Sequence, residues 1–325
     1  MKLKFFLLLN FICALAAVAQ NRSGLTGIPD TSFSTRRAYL SLIKTMPDAQ
    51  IVPELKSPQV AEKRNLVYCD VKGRKLHIDA FSPAAPGSAL RPAILIVHGG
   101  GWRSGNRQQH IPLAQHLAAL GYVCFTVEYR LSTEALYPAA VNDLKSAVRW
   151  MRTQKKNFPI DTSKIVILGF SAGGELAAFV GTTNGDTSFR ANACHGGMSD
   201  SVQAIVDIDG TLSFVHPESG EGDDRKSTSA ASYWFGYGKM EHPELWKAAS
   251  PLTHVGKNTP PTLFLNSSVD RMHAGRDDFR KVLDQYGIYH EQHTFEKSPH
   301  TFCLFEPWFE PTVQYIDGFL KKIFK

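Results

Sequence analysis

The sequence predicts one α/β domain built on a mostly parallel sheet with helices on both faces, and three observations carry that expectation. Short apolar runs alternate with segments whose apolar residues recur at helical spacing, the order that parallel strands and their crossover helices produce. The runs are apolar throughout, as strands buried on both faces are. A hairpin signal opens the pattern, so antiparallel strands are expected at one edge.

The chain begins with a leader. Lys2 and Lys4 form a short basic start, residues 5–18 are apolar except for Asn10, and Ala17-Val18-Ala19 before Gln20 is a small-x-small cleavage signal. Together they predict a secretory signal peptide over 1–19. The run is short for a membrane span, which needs roughly 20 residues. Phe11-Ile12 ahead of Cys13 lacks the small residues of a lipoprotein signal. Residues 20–325 are then expected as one large domain, secreted or periplasmic, with no second domain required.

Residues 20–62 are polar and irregular, an N-terminal arm with one helix expected over 35–45. Runs at 65–71 and 74–81 flank Lys72-Gly73, a tight hairpin turn. Buried strands follow at 93–98, 122–129, 164–170, 203–208 and 262–266, and a last strand at 289–295. Helices are expected at 110–120, 139–154, 174–182, 277–286 and 310–322. Residues 211–258 break the rhythm, being rich in aromatics and polar loops, and are expected as an insert over the carboxyl end of the sheet.

The formal net charge of +6 includes Lys2 and Lys4 of the leader, and the remainder is too diffuse for a nucleic-acid surface. Beyond the leader stand Cys69, Cys124, Cys194 and Cys303, none at CxxC spacing, which argues against a zinc or dithiol motif. Cys124 lies in an apolar strand and is expected to be a buried thiol. An oxidising compartment permits a disulfide, and sequence leaves its pairing open. His110 and His116, six apart, share no helical face for a metal, and no metal or organic cofactor is implied.

The chemistry is carried by Gly169-Phe170-Ser171-Ala172-Gly173, a G-x-S-x-G run. An apolar strand precedes it and a helix follows. Small residues at 169 and 173 permit a sharp turn that lifts the Ser171 hydroxyl above the sheet, with a helix N-terminus aimed at it. A serine hydroxyl needs a base. His300, in Ser298-Pro299-His300-Thr301-Phe302, follows the last strand and is best placed; His273, His290 and His293 are less so. The imidazole needs an acid to hold its tautomer. Asp270 is favoured because it follows the strand at 262–266 and gives the chain order Ser…Asp…His, with Asp277 and Asp278 as rivals. His98-Gly99-Gly100-Gly101-Trp102 directly follows a buried strand. The amides of Gly100 and Gly101, with that of Ala172, are expected to form an oxyanion hole.

These motifs resemble the α/β-hydrolase esterase/lipase superfamily, in its HGGGW branch, from about residue 65 to the C-terminus. Residues 125–131 (FTVEYRL) with Tyr137-Pro138-Ala139-Ala140, then Asn142-Asp143 and Ala147-Val148-Arg149-Trp150, extend the likeness. The resemblance implies an α/β-hydrolase fold and a Ser-His-Asp triad, with a structural part for Asp143. The acid loop departs from the branch's Gly-x-x-Asp pattern, reading Asn266-Ser267-Ser268-Val269-Asp270. That segment, residues 298–302 and the tail Phe305-Glu306-Pro307-Trp308-Phe309 are similar to secreted esterases acting on pectin. The implied partner is an ester-decorated polysaccharide losing methyl or acetyl groups.

Trp102, Trp234, Arg271 and Arg276 are the expected substrate-binding residues. Guanidinium groups beside the acid loop suit bidentate carboxylate recognition, although surface ion pairs would explain them equally well. Tyr233, Trp234, Phe235, Tyr237 and Trp246 either stack on sugar rings or form the insert's small core. Two further readings stay open. One is a general short-chain carboxylesterase or lipase; the other is a non-catalytic binding module on a hydrolase fold.

Overall fold

The computed structural model describes residues 24–84, 89–190 and 194–325; the leader expected over 1–19 lies outside them. The arm supplies helix α1 (Thr35–Leu42) and the short strand β1 (Gln50–Ile51). The hairpin strands β2 (Val60–Val71) and β3 (Arg74–Pro83) follow, then β4 (Arg91–Val97), α2 (Ile111–Ala119), β5 (Val123–Val127), α3 (Ala139–Thr153), β6 (Ile160–Phe170) and α4 (Ala172–Thr182). After β7 (Ala204–Ile208), the insert contributes α5 (Ala230–Phe235) and α6 (Pro243–Ala248). The chain ends with β8 (Thr262–Asn266), α7 (Arg276–Gln285), β9 (His290–Thr294), β10 (Phe305–Glu306) and α8 (Phe309–Ile323).

Eight strands form one sheet in the order β2-β3-β5-β4-β6-β7-β8-β9. The β2–β3 and β3–β5 pairs are antiparallel and every later pair is parallel. The hairpin turn has φ +53° at Lys72 and +91° at Gly73, the two positive values that a tight two-residue turn needs to match strand twist. Strands β5, β7 and β8 are buried at every residue, as continuous apolar runs imply. Edge strand β9, with sequence His-Glu-Gln-His-Thr, is half-exposed.

Because successive side chains of a strand point to opposite faces, alternate residues feed two cores. Leu95, Val97, Ile167 and Ile205 meet Leu144 and Val148 of α3 and Leu176 and Phe179 of α4. Ile94, Ile96, Val166 and Val206 meet Leu113 and Leu117 of α2 and Ile316 and Phe319 of α8. Each such side chain contributes about 1.5–3 kcal/mol on burial. Neither layer tolerates a one-residue register slip, which would reverse the faces.

The arm has a definite partner. Strand β1 pairs with β10, just beyond His300, and the amide of Gly105 donates to the Asp30 carbonyl at 3.0 Å. The arm therefore touches the stretch just after the glycine loop and the stretch just after the histidine. The insert packs as a core: Phe214, Trp234, Phe235 and Trp246 are all buried, with ring centroids 4.7–6.1 Å apart. Cys69 and Cys194 form a disulfide, while Cys124 and Cys303 are buried free thiols. Among the described residues no helix is long and apolar enough to cross a membrane.

Candidate active site

Strand order sets the site. Strand β5 lies on one side of β4 and β6 on the other, so a crevice opens above the carboxyl ends of β4 and β6. Val97 at the end of β4 pairs with Gly169 of β6, and Phe170 of β6 pairs with Ile208 of β7. The glycine loop, Ser171 and the segment after Ile208 are thus neighbours.

Ser171 caps α4 with φ +57° and ψ −123°, a conformation rare for a side-chain-bearing residue that costs about 1–3 kcal/mol. Glycine makes the turn possible. A Cβ on Gly169 would collide with the Gly173 carbonyl, and one on Gly173 with the carbonyl oxygens of Val97 and His98. The Ser171 amide is held by the Ile208 carbonyl at 2.8 Å.

His300 is brought onto the nucleophile from the far edge of the sheet. Its Nε2 lies 2.9 Å from Ser171 Oγ, and its ring packs on Phe170 at 4.9 Å. Ser298 secures the loop, donating its amide to Ser268 Oγ and its hydroxyl to the Phe295 carbonyl. Burial of Phe302, Cys303 and Leu304 anchors the other end.

The carboxylate that meets His300 is not that of Asp270. His300 Nδ1 lies 2.9 Å from Oδ2 of Asp209, which is fully buried directly after β7. Its other oxygen accepts the Ser267 amide at 2.8 Å, so both carboxylate oxygens are engaged. Asp270 begins an exposed single turn four residues beyond β8, and Asp277 and Asp278 pair with Arg276 and Lys281 at the start of α7. The physical reason is reach. Neighbouring strands lie about 4.8 Å apart, and Asp209 ends the strand adjacent to that of Ser171, whereas Asp270 belongs one strand further out. One signal would have pointed there: Asp207 and Asp209 interrupt or end a fully buried apolar strand, where carboxylates are rarely placed without a task.

The glycine loop is pinned nearly everywhere. Gly99 donates to Gln109 Oε1 at 2.8 Å, the Gly100 carbonyl accepts from Ser104, and the Trp102 carbonyl accepts from Ser132. The amides of Gly100 and Gly101 find no protein acceptor among the described residues. Their φ values of +128° and +60° favour glycine. A Cβ on Gly99 would lie 3.0 Å from that of Ser171, so the loop presses on the nucleophile. Ala172, the first residue of α4, presents a third amide that the helix itself does not use. Behind the loop, burial lowers the pKa of His98 to about 4 and of His110 to about 3, keeping both neutral.

Of the four expected substrate-binding residues, the structure buries two and ties a third to neighbouring side chains. Trp102 is 4 % exposed, with its indole stacked on the fully buried Trp234 at 5.1 Å. Aromatic groups needed to complete the insert's core are unavailable to a sugar. Arg276 donates to Asn266 Oδ1 at 3.0 Å and pairs with Asp277 at 2.9 Å, leaving 13 % of its side chain exposed. Arg271 alone is exposed, with its aliphatic stem beside Gly220 of the insert.

Sequence reasoning also missed two buried acids. Glu175, in the first turn of α4, accepts the Trp102 indole N–H at 2.8 Å. Asp207 accepts the Gly210 amide at 2.8 Å, closing the turn that carries Asp209. Burial raises the pKa of both carboxyls well above the usual range, the negative charge of Asp207 adding for Glu175 and that of Asp209 for Asp207.

Known proteins resemble this chain in sequence and fold. The BD-FAE family model covers residues 78–274. The esterase LipC of Mycobacterium tuberculosis is 29% identical over 224 residues, 66% of this chain and 53% of its own. The chain spans about half the length of the curated relatives it matches first. A solved esterase from the planctomycete Thermogutta terrifontis superposes with TM-score 0.65 at 25% identity, over 84% of this chain and 96% of its own. A truncated carbohydrate esterase from gut microbiota superposes with TM-score 0.68 at 22% identity, over 83% of this chain and all of its own. The fold is that of the α/β-hydrolases.

Proposed function

The chain belongs to the BD-FAE family, and on that premise we propose that it is a serine carboxylesterase that removes methyl or acetyl esters from pectic polysaccharide outside the cytoplasm. One observation carries the esterase reading: the continuous hydrogen-bonded line from Ser171 Oγ through the His300 ring to buried Asp209, beside a loop with two free amides.

His300 takes the Ser171 proton as the hydroxyl oxygen attacks the ester carbonyl. Negative charge gathers on the carbonyl oxygen, where the amides of Gly100, Gly101 and Ala172 receive it; one such donor is worth ~3 kcal/mol in the transition state. The tetrahedral intermediate expels the alcohol, which leaves with the proton from His300. Water then attacks the acyl-enzyme with His300 again as base, releasing the acid and Ser171. Asp209 holds the tautomer that puts the lone pair of Nε2 toward Ser171 and stabilises the transient imidazolium.

The polysaccharide reading draws on the likeness to pectin-acting esterases and on exposed Arg271, whose guanidinium suits a uronate carboxylate. An oxidising location is supported by the leader sequence and the Cys69–Cys194 disulfide. Incubation with methyl-esterified and with acetylated pectin, assayed for methanol and acetate, tests the substrate. Release of neither, with rapid turnover of p-nitrophenyl acetate, would leave a general short-chain esterase. Labelling by a fluorophosphonate that disappears in Ser171→Ala tests the nucleophile; an unlabelled wild type would make the chain a binding module.

A further inference from the structure

We infer that Glu175 is a positioning residue that fixes the glycine loop to the helix of the nucleophile through the indole of Trp102. The inference rests on the esterase reading and adds to it a part for a buried acid that no step of the mechanism uses.

Glu175 is the fourth residue of α4, one turn beyond Ser171, and is fully buried. A helix position so enclosed ordinarily takes an apolar side chain. Here its Oε2 accepts from Nε1 of Trp102, a residue 73 positions earlier. Trp102 directly follows Gly100 and Gly101, and its own φ is +56°, so the chain enters it in a conformation that few residues favour. Its ring is held on both sides of this bond, stacked on Trp234 and tilted against Phe214 at 5.3 Å. The bond therefore spans two catalytic segments that share no other side-chain link of this kind among the described residues: the loop with the free amides and the helix that begins at the nucleophile. Burial pushes the Glu175 carboxyl pKa well above its usual range, toward the neutral form, which suits the place. An ionised carboxylate one turn from the developing oxyanion would repel it, whereas a neutral carbonyl oxygen still accepts the indole N–H. The amides of Gly100 and Gly101 matter most when the oxyanion has formed, so loosening the loop lowers kcat and spares substrate binding.

The test is steady-state hydrolysis of p-nitrophenyl acetate across pH by wild type, Glu175→Gln, Glu175→Leu, Trp102→Phe and the Leu/Phe double variant, with folding followed by circular dichroism. Glu175→Leu and Trp102→Phe are expected to lose ~10–100-fold in kcat, with KM within ~3-fold and the pH profile unmoved, since misplacement by about 1 Å can cost ~100-fold. Glu175→Gln, which keeps an acceptor oxygen, is expected to recover most of the loss. The double variant should be no worse than the poorer single one, as coupled partners behave. Wild-type kcat in Trp102→Phe, an equal loss in Gln and Leu, or a loss confined to KM would each overturn the inference. Should Glu175→Leu fail to fold, the contrast between Glu175→Gln and Trp102→Phe decides. An active wild type with an unaffected Trp102→Phe sinks this inference alone; a wild type with neither turnover nor fluorophosphonate labelling brings down the esterase reading and this with it.

Discussion

The segments that leave β7 and β8 begin side by side at the carboxyl edge of the sheet, and each carries an aspartate, Asp209 on the first and Asp270 on the second. After β7, Asp209 stands at the strand's end with φ +52°, fully buried, its two oxygens on His300 and on the Ser267 amide. After β8, three residues intervene before Asp270, which lies exposed on a single turn. Its place after the strand at 262–266 favoured the second in the sequence, and geometry selects the first. The difference teaches that a triad acid is fixed by two things that a linear motif does not encode: the distance of its strand from the nucleophile's strand, and hydrogen bonds that make a buried charge tolerable. The β8 segment still contributes, because its Ser267 supplies one of those bonds. Its neighbour Arg276 lies close enough to Asp207 to favour its charged form.

Four variants bear on this contrast, in falling order of effect. Asp209→Asn should lower kcat/KM on p-nitrophenyl acetate by ~10⁴-fold, the loss expected when the histidine takes the wrong tautomer; a drop below tenfold would return the acid to the β8 segment. Gly210→Ala places a Cβ against the Asp207 carboxylate and the Glu175 amide, and should destabilise the fold by about 1–3 kcal/mol in urea unfolding while lowering kcat. Asp207→Asn keeps an oxygen for the Gly210 amide and removes the ionisable group. The folded pKa of Asp207 is raised above its unfolded value of 3.8, so its contribution to stability is intact below that pH and is lost as pH rises through the folded pKa. The melting temperature of the Asn variant, relative to wild type, should therefore climb as pH rises from about 4; a flat difference would show that Asp207 ionises freely. Asp270→Asn should change kcat/KM by less than ~3-fold, as surface substitutions do. A small companion effect is expected at Arg271→Ala, with KM raised on methyl-esterified pectin and unmoved on p-nitrophenyl acetate.

Acidification probes the same end of the molecule from behind the glycine loop. His98 and His110 are held neutral with pKa values lowered from 6.5, so the unfolded chain binds more protons below that pH and stability should fall steadily from pH 6.5 toward 4.

By itself the sequence determined every strand of the large sheet, since continuous apolar runs and helical periodicity are local patterns set by which faces are buried. It also determined Ser171 and the glycine loop, because a sharp strand-to-helix turn and a close backbone approach demand glycine at fixed offsets. His300 was legible from its place after the last strand. Only the tertiary structure decided which carboxylate meets His300, since strand adjacency arises from crossovers that no local window contains. It likewise set Trp102 and Trp234 in the interior and tied Arg276 to Asn266 and Asp277, because a tryptophan reads the same whether it awaits a sugar or completes a core. The same long-range packing paired Cys69 with Cys194 and set Glu175 beneath Trp102.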